Sequence, residues 1–148
     1  MKIHTILLVE DNAAQVNLLE EAWEDTKCDT RLDVTSDGEK AMDFLRKRGS
    51  YHHADRPNLI LLDLHLPKMG GYEVLKEIKS DPELSQIPII VFTSSDNTRD
   101  LVNSYALNVK AYVQKPTNFD KFKEFVNYIE DFLSKSAETN AIDGYQKN

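Results

Sequence analysis

The run Asn58-Leu59-Ile60-Leu61-Leu62-Asp63-Leu64-His65-Leu66-Pro67-Lys68-Met69-Gly70-Gly71 decides the fold. Four consecutive apolar residues, Leu59 to Leu62, predict a strand buried on both faces. The run ends on a carboxylate. An ionised group is costly inside a sheet, so Asp63 has to sit where the strand leaves the core. Pro67 cannot donate to a ladder, and Gly70-Gly71 gives the backbone freedom for a turn. In an open α/β sheet, ligands bind beyond the carboxyl ends of the strands. Asp63 is therefore the candidate reactive group.

Towards the amino terminus, residues 3–9 predict another strand, with Ile6-Leu7-Leu8-Val9 as its buried part and Glu10-Asp11 at its end. Asn12 is placed to cap the next helix, with Gln15 as the return partner of a capping box. Val16, Leu18, Leu19, Ala22 and Trp23 give that helix an apolar face. Residues 31–35 read as a short strand. Ser36-Asp37-Gly38-Glu39 is a turn with a second capping-box pattern, opening a helix that carries Ala41, Met42, Phe44 and Leu45. Residues 49–57 form a polar loop that leads into the Asp63 strand.

Towards the carboxyl terminus, a helix from about Gly71 turns Val74, Leu75 and Ile78 inward and stops at Asp81-Pro82. Ile87-Pro88-Ile89-Ile90-Val91-Phe92 is a fourth strand, ending on the hydroxyl cluster Thr93-Ser94-Ser95. A helix of mixed polarity follows over residues 96–107. Ala111-Tyr112-Val113-Gln114 is a fifth strand, ending on Lys115-Pro116. The last helix covers about residues 119–133, and residues 134–148 read as a polar, frayed tail. Five β-α units with crossovers of this length imply a parallel sheet with helices on both faces. The chain of 148 residues is one domain with its core over residues 3–133.

Composition narrows the function. The formal net charge of −7 disfavours nucleic acid as a partner, because phosphate binding needs a basic patch. No apolar run is long enough to span a bilayer, the start lacks a signal-peptide core, and the single cysteine, Cys28, has no metal-type neighbours. A cytoplasmic protein is expected.

Glu10, Asp11, Asp63, Thr93 and Lys115 collect at one sheet edge. Two unit charges about 4 Å apart repel by about 4 kcal/mol at an effective dielectric of about 20. Such a cluster shares a proton or holds a cation, and few side-chain oxygens plus water suit Mg²⁺. Glu10-Asp11 alone would only cap the first helix through its dipole; with Asp63 and Lys115 beside them, the metal is the better account. Lys115 is a compact charge suited to a phosphoryl oxygen or a carboxylate, and a cis Lys-Pro bond would aim it back across the site. Thr93 is placed to hydrogen-bond a phosphoryl oxygen. His65 has no second histidine at ligand spacing, since His52-His53 lie in the polar loop, and it reads as a loop residue that tunes water access.

These residues, with Tyr112, resemble the CheY-like receiver domain of two-component response regulators over roughly residues 3–133. The resemblance implies a flavodoxin-like sheet of strand order 2-1-3-4-5. It implies that Asp63 accepts a phosphoryl group from a phosphohistidine on a sensor histidine kinase. Glu10, Asp11, Asp63 and the His65 backbone carbonyl would surround Mg²⁺, while Thr93 and Lys115 neutralise charge on the phosphoryl oxygens. Glu10 stands where many members carry aspartate, and its longer side chain suits contact through water. The resemblance makes Thr93 and Tyr112 the switch pair, and His65 and Ser95 the residues that set the lifetime of the acyl phosphate. The wording of residues 56–67 and the aromatic last helix are similar to the cyanobacterial phytochrome-partner response regulators, which implies a phytochrome as the kinase.

No output domain is expected, so output falls to the domain's own surface. On the last helix Phe122, Val126, Ile129 and Leu133 follow core spacing, and Phe125, Tyr128 and Phe132 make a second apolar stripe. A homodimer through that stripe is expected. Two other readings compete. An aspartyl-phosphate phosphatase of the haloacid-dehalogenase type would need a second aspartate where His65 stands. A pseudo-receiver that only binds partners would not need the acidic set, Thr93 and Lys115 together.

Overall fold

The structure, a computed structural model, describes residues 3–26, 28–94, 100, 103–104 and 106–141, the last six by their backbone alone. Five parallel strands form one sheet: β1 (His4–Val9), β2 (Thr30–Thr35), β3 (Leu59–Leu62), β4 (Ile89–Thr93) and β5 (Ala111–Gln114), in the order β2-β1-β3-β4-β5. Four α-helices lie among the described residues: α1 (Ala13–Glu24), α2 (Gly38–Leu45), α3 (Gly71–Ser80) and α4 (Phe119–Ala141). The helix expected over residues 96–107 falls largely outside the described residues, although Asp100, Asn103, Ser104 and Ala106 are helical.

Strand periodicity divides the core. Leu7, Val9, Ile60, Leu62, Ile89 and Val91 face α2 and α3, while Ile6, Leu8, Leu59, Leu61, Ile90 and Phe92 face α1 and α4. Every residue of β3 is fully buried, as its unbroken apolar run requires. Each such Leu or Ile contributes about 1.5–3 kcal/mol. That burial fixes β3 at the centre and drives Asp63 to its carboxyl end.

Several local details differ from the sequence reading. Asn12 caps α1 through its side-chain oxygen, which accepts from Ala14 N and Gln15 N, but its own N–H is taken by the Glu10 carboxylate at 3.2 Å, not by Gln15. The cap of α2 is Asp37, accepting from Lys40 N at 2.8 Å. Pro88 precedes β4, and its carbonyl accepts from Ile60 N. α4 runs well past residue 133, so the expected tail is helical as far as Ala141; an ion pair between Lys135 and Asp131, one turn apart, supports the extension. Residues 142–148 lie outside the described set. Phe125 does not line a solvent face. It is buried and stacks on Phe92 with ring centroids 4.4 Å apart, leaving Tyr128 exposed and Phe132 half-buried. The Trp23 indole N–H and the Thr30 hydroxyl both donate to the Glu130 carboxylate, tying α4 to α1 and β2.

The Gly70-Gly71 pair also has a different reason from the one expected. The left-handed backbone in this loop falls on Lys68, with φ 64°. Gly71 is there for close approach: a Cβ on it would lie 2.4 Å from both the Asp63 carbonyl oxygen and Leu64 Cα. These are backbone atoms that support the Asp63 loop. Gly71→Ala should therefore lower stability by about 1–3 kcal/mol, seen as a lower urea midpoint. A wild-type midpoint would contradict this packing.

Candidate functional site

Register and backbone hydrogen bonds bring the strand ends level. Val9 is opposite Thr35 on one side and Leu62 on the other, and Leu62 is opposite Val91. Just past the strands, Glu10 N donates to Thr35 O, Asp63 N to Val9 O and Lys115 N to Thr93 O. The next side chains after three strands, and the last of β4, therefore meet in one crevice.

Asp63 is 5% exposed and fully engaged. Its Oδ1 accepts from the Thr93 hydroxyl at 2.9 Å and from His65 N at 3.1 Å, and its Oδ2 faces the Lys115 ammonium at 3.0 Å. The same ammonium lies 2.6 Å from Glu10 Oε1. One cation thus bridges two buried carboxylates. Burial opposes the Lys115 charge, but its hydrogen bonds to Glu10 and Asp63, with their charges, outweigh that and raise its pKa above the usual lysine range. Burial raises the Glu10 pKa; contact with Lys115 opposes the rise, and the Asp63 charge adds to it.

The Lys115-Pro116 bond is trans, as are all the described peptide bonds, so the expected cis aim is corrected. The ammonium reaches the site because β5 ends beside β4, where Lys115 N pairs with Thr93 O.

Asp11 is exposed at the mouth. Oxygens of Glu10, Asp11 and Asp63 all lie within 4.8 Å of one another. Three hard oxygen donors at this separation, two of them buried, fit a divalent cation and no soft metal. Tyr112, half-buried on β5, packs against the core layer under α2 and α3. Ser95 lies outside the described residues. Phe125, Tyr128 and Phe132 lie on α4 and make none of these site contacts. Sequence reasoning missed the Tyr72 hydroxyl, which donates to the Asp100 carbonyl at 2.9 Å and to its carboxylate at 3.1 Å. A pair joining α3 to a distant helical residue leaves no spacing signal.

An open parallel sheet with three carboxylates, a hydroxyl and an ammonium at one edge defines a receiver-type signalling domain. The chain belongs to the response regulator receiver domain family, which matches it over residues 6–127. It is 46% identical over 127 residues to Response regulator Rcp1 of Synechocystis sp., with 86% of each chain covered. Its fold is similar to that of the phosphorylated cyanobacterial phytochrome response regulator RcpA, with a TM-score of 0.85 and 43% identity over 91% of this chain and 96% of that one. It is also similar to the Mn²⁺-bound form of Rcp1, with a TM-score of 0.81 and 45% identity over 87% and 93% of the two chains. Members of this family are signalling proteins, and the dehalogenase-type reading finds no support in these matches. No described helix is long and apolar enough to cross a membrane.

The raised Glu10 pKa has a definite sign in stability. Such a group binds its proton more tightly when folded, so its contribution is present below the ordinary value of 4.5 and is lost as pH rises through the folded value. In EDTA, Glu10→Gln has no proton to lose. Its melting temperature should therefore gain on wild type as pH rises from 4.5 towards neutrality. A gap that stays level across that range would contradict the assignment.

Proposed function

We propose that this receiver domain accepts a phosphoryl group on Asp63 from the phosphohistidine of a sensor histidine kinase. The observation that carries this reading is the Asp63 carboxylate itself, buried at a strand end between a hydroxyl, an amide N–H and an ammonium, with two further carboxylates beside it. In the transfer, the P–N bond of the phosphohistidine breaks and a P–O bond to Asp63 forms. Glu10, Asp11, Asp63 and the His65 backbone carbonyl would hold Mg²⁺, which supplies positive charge to the phosphoryl oxygens. Lys115 then exchanges its Asp63 contact for a phosphoryl oxygen, and Thr93 does the same. Tyr112, on the neighbouring strand, repacks with Thr93 to carry the change to the surface. Water later breaks the P–O bond, releasing inorganic phosphate and restoring the carboxylate; His65 and Ser95 set the rate.

The similarity to phytochrome response regulators supports a phytochrome as the donor kinase. The cytoplasm, where such a kinase draws on ATP, is the proposed site of action. Incubation with acetyl phosphate and Mg²⁺ should add one phosphoryl mass to the intact protein, and Asp63→Asn or EDTA should abolish the adduct. An adduct that survives Asp63→Asn would overturn the assignment, as would wild type that stays unlabelled.

Output is proposed to run through a second copy of the chain. Tyr128 is 47% exposed and borders a shallow hollow with Val113, Pro116 and the edge of Phe125, between β5 and α4. A copy of the same face would cover this apolar patch. The downstream protein would read the dimer. Tyr128→Glu should weaken self-association by about tenfold or more in sedimentation. Wild type that sediments as a monomer with and without phosphate would remove the dimer.

A further inference from the structure

The Asp63 loop is bracketed by one carboxylate from outside it. His65 stands at the start of the loop and Tyr72 in the first turn of α3 at its end. Asp100 reaches both. Its Oδ1 and its backbone carbonyl accept from the Tyr72 hydroxyl, and its Oδ2 lies 3.9 Å from His65 Nε2. The Asp100 side chain is only 16% exposed, whereas that of His65 is 63% exposed. Burial, then the Asp100 hydrogen bond, push the Tyr72 phenol above its ordinary pKa.

The Tyr72–Asp100 contact is the firm half of this arrangement. The single phenol proton is shared between the Asp100 carbonyl and its carboxylate, partly shielded from water, and this fixes where the carboxylate sits. The His65 contact is the responsive half. A separation of 3.9 Å is too long for a hydrogen bond and suits a charge contact or one bridging water. An exposed imidazole has several rotamers, and a fixed carboxylate beside it selects among them. The backbone N–H of the same histidine donates to Asp63 Oδ1, so its ring is attached next to the group that would carry phosphate.

We propose that Asp100 is a positioning residue: anchored by Tyr72, it holds the His65 imidazole beside the mouth of the Asp63 site and thereby slows water's access to a phosphoryl group there. This rests on Asp63 as the phosphoacceptor. Asp100 does not touch the reacting atoms and acts only through His65.

The test reads two quantities. In unphosphorylated protein, the His65 ring resonances report the imidazole's surroundings. After labelling with acetyl phosphate and Mg²⁺, intact mass follows first-order loss of the adduct. Asp100→Ala should shift the His65 ring resonances and speed loss of the adduct about threefold, the scale of one partly exposed charge contact. Tyr72→Phe keeps the ring packing and should move both readouts in the same direction. Asp100→Asn still accepts from the phenol but removes the charge that faces His65, so it should shift the ring resonances and speed loss of the adduct as Asp100→Ala does. In a His65→Ala background, Asp100→Ala should leave the lifetime unchanged.

Unmoved ring resonances would overturn the proposal, as would unchanged adduct loss in Asp100→Ala. An equal effect of Asp100→Ala with and without His65 would do so too, since a merely structural role predicts that result. If Asp100→Ala does not fold, Tyr72→Phe and Asp100→Asn decide by the same criteria. Absence of any adduct on wild type would instead sink the phosphoacceptor reading, and the ring resonances would still judge the placement of His65.

Discussion

One ammonium holds this crevice together. Lys115 lies 2.6 Å from Glu10 and 3.0 Å from Asp63, and both carboxylates are buried. Without a cation, two buried negative charges at such separation would repel and each would be costly to desolvate. The lysine therefore lets the acidic edge exist in the metal-free protein. It also sets the terms for any ligand, because whatever enters must compete for, or share, the oxygens that Lys115 already contacts.

The sheet exists to deliver these groups with little freedom. β3 is buried on both faces, and its neighbours are locked in register by ladders that end level with one another. Gly71 lets the turn after Asp63 fold back onto the strand's own end, and Lys68 accepts a left-handed backbone to complete that turn. A non-glycine residue in that conformation costs about 1–2 kcal/mol. The surrounding core supplies it, and the result is an Asp63 carboxylate whose two oxygens meet three donors.

Much of this was legible in the sequence, and for a physical reason. Apolar runs that stop abruptly on Glu10-Asp11, Asp63, Thr93 and Lys115 report both the strands and the edge where polar groups are tolerated. What escaped was contact between segments distant in sequence. Glu10 replacing Gln15 at the Asn12 N–H follows from Glu10 curling back at the strand end, which spacing cannot show. Phe125 looked like a surface aromatic because its helix offset borders the core stripe, yet Phe92 provides a ring to stack on. Helix α4 continues past Leu133 with an i,i+4 ion pair between Asp131 and Lys135, and hydrophobic periodicity is silent there. The Tyr72–Asp100 contact joins two helical residues that no motif links.

Phosphoryl chemistry at this edge requires a cation to enter beside Lys115, among Glu10, Asp11 and Asp63. Mn²⁺, added in small amounts to isotope-labelled protein, broadens the backbone amides nearest to it. The amides of residues 10–12 and 63–65 should disappear first, and Mg²⁺ should restore them by displacement. Broadening spread evenly over the acidic surface, or centred on another face, would contradict a cation site at this edge.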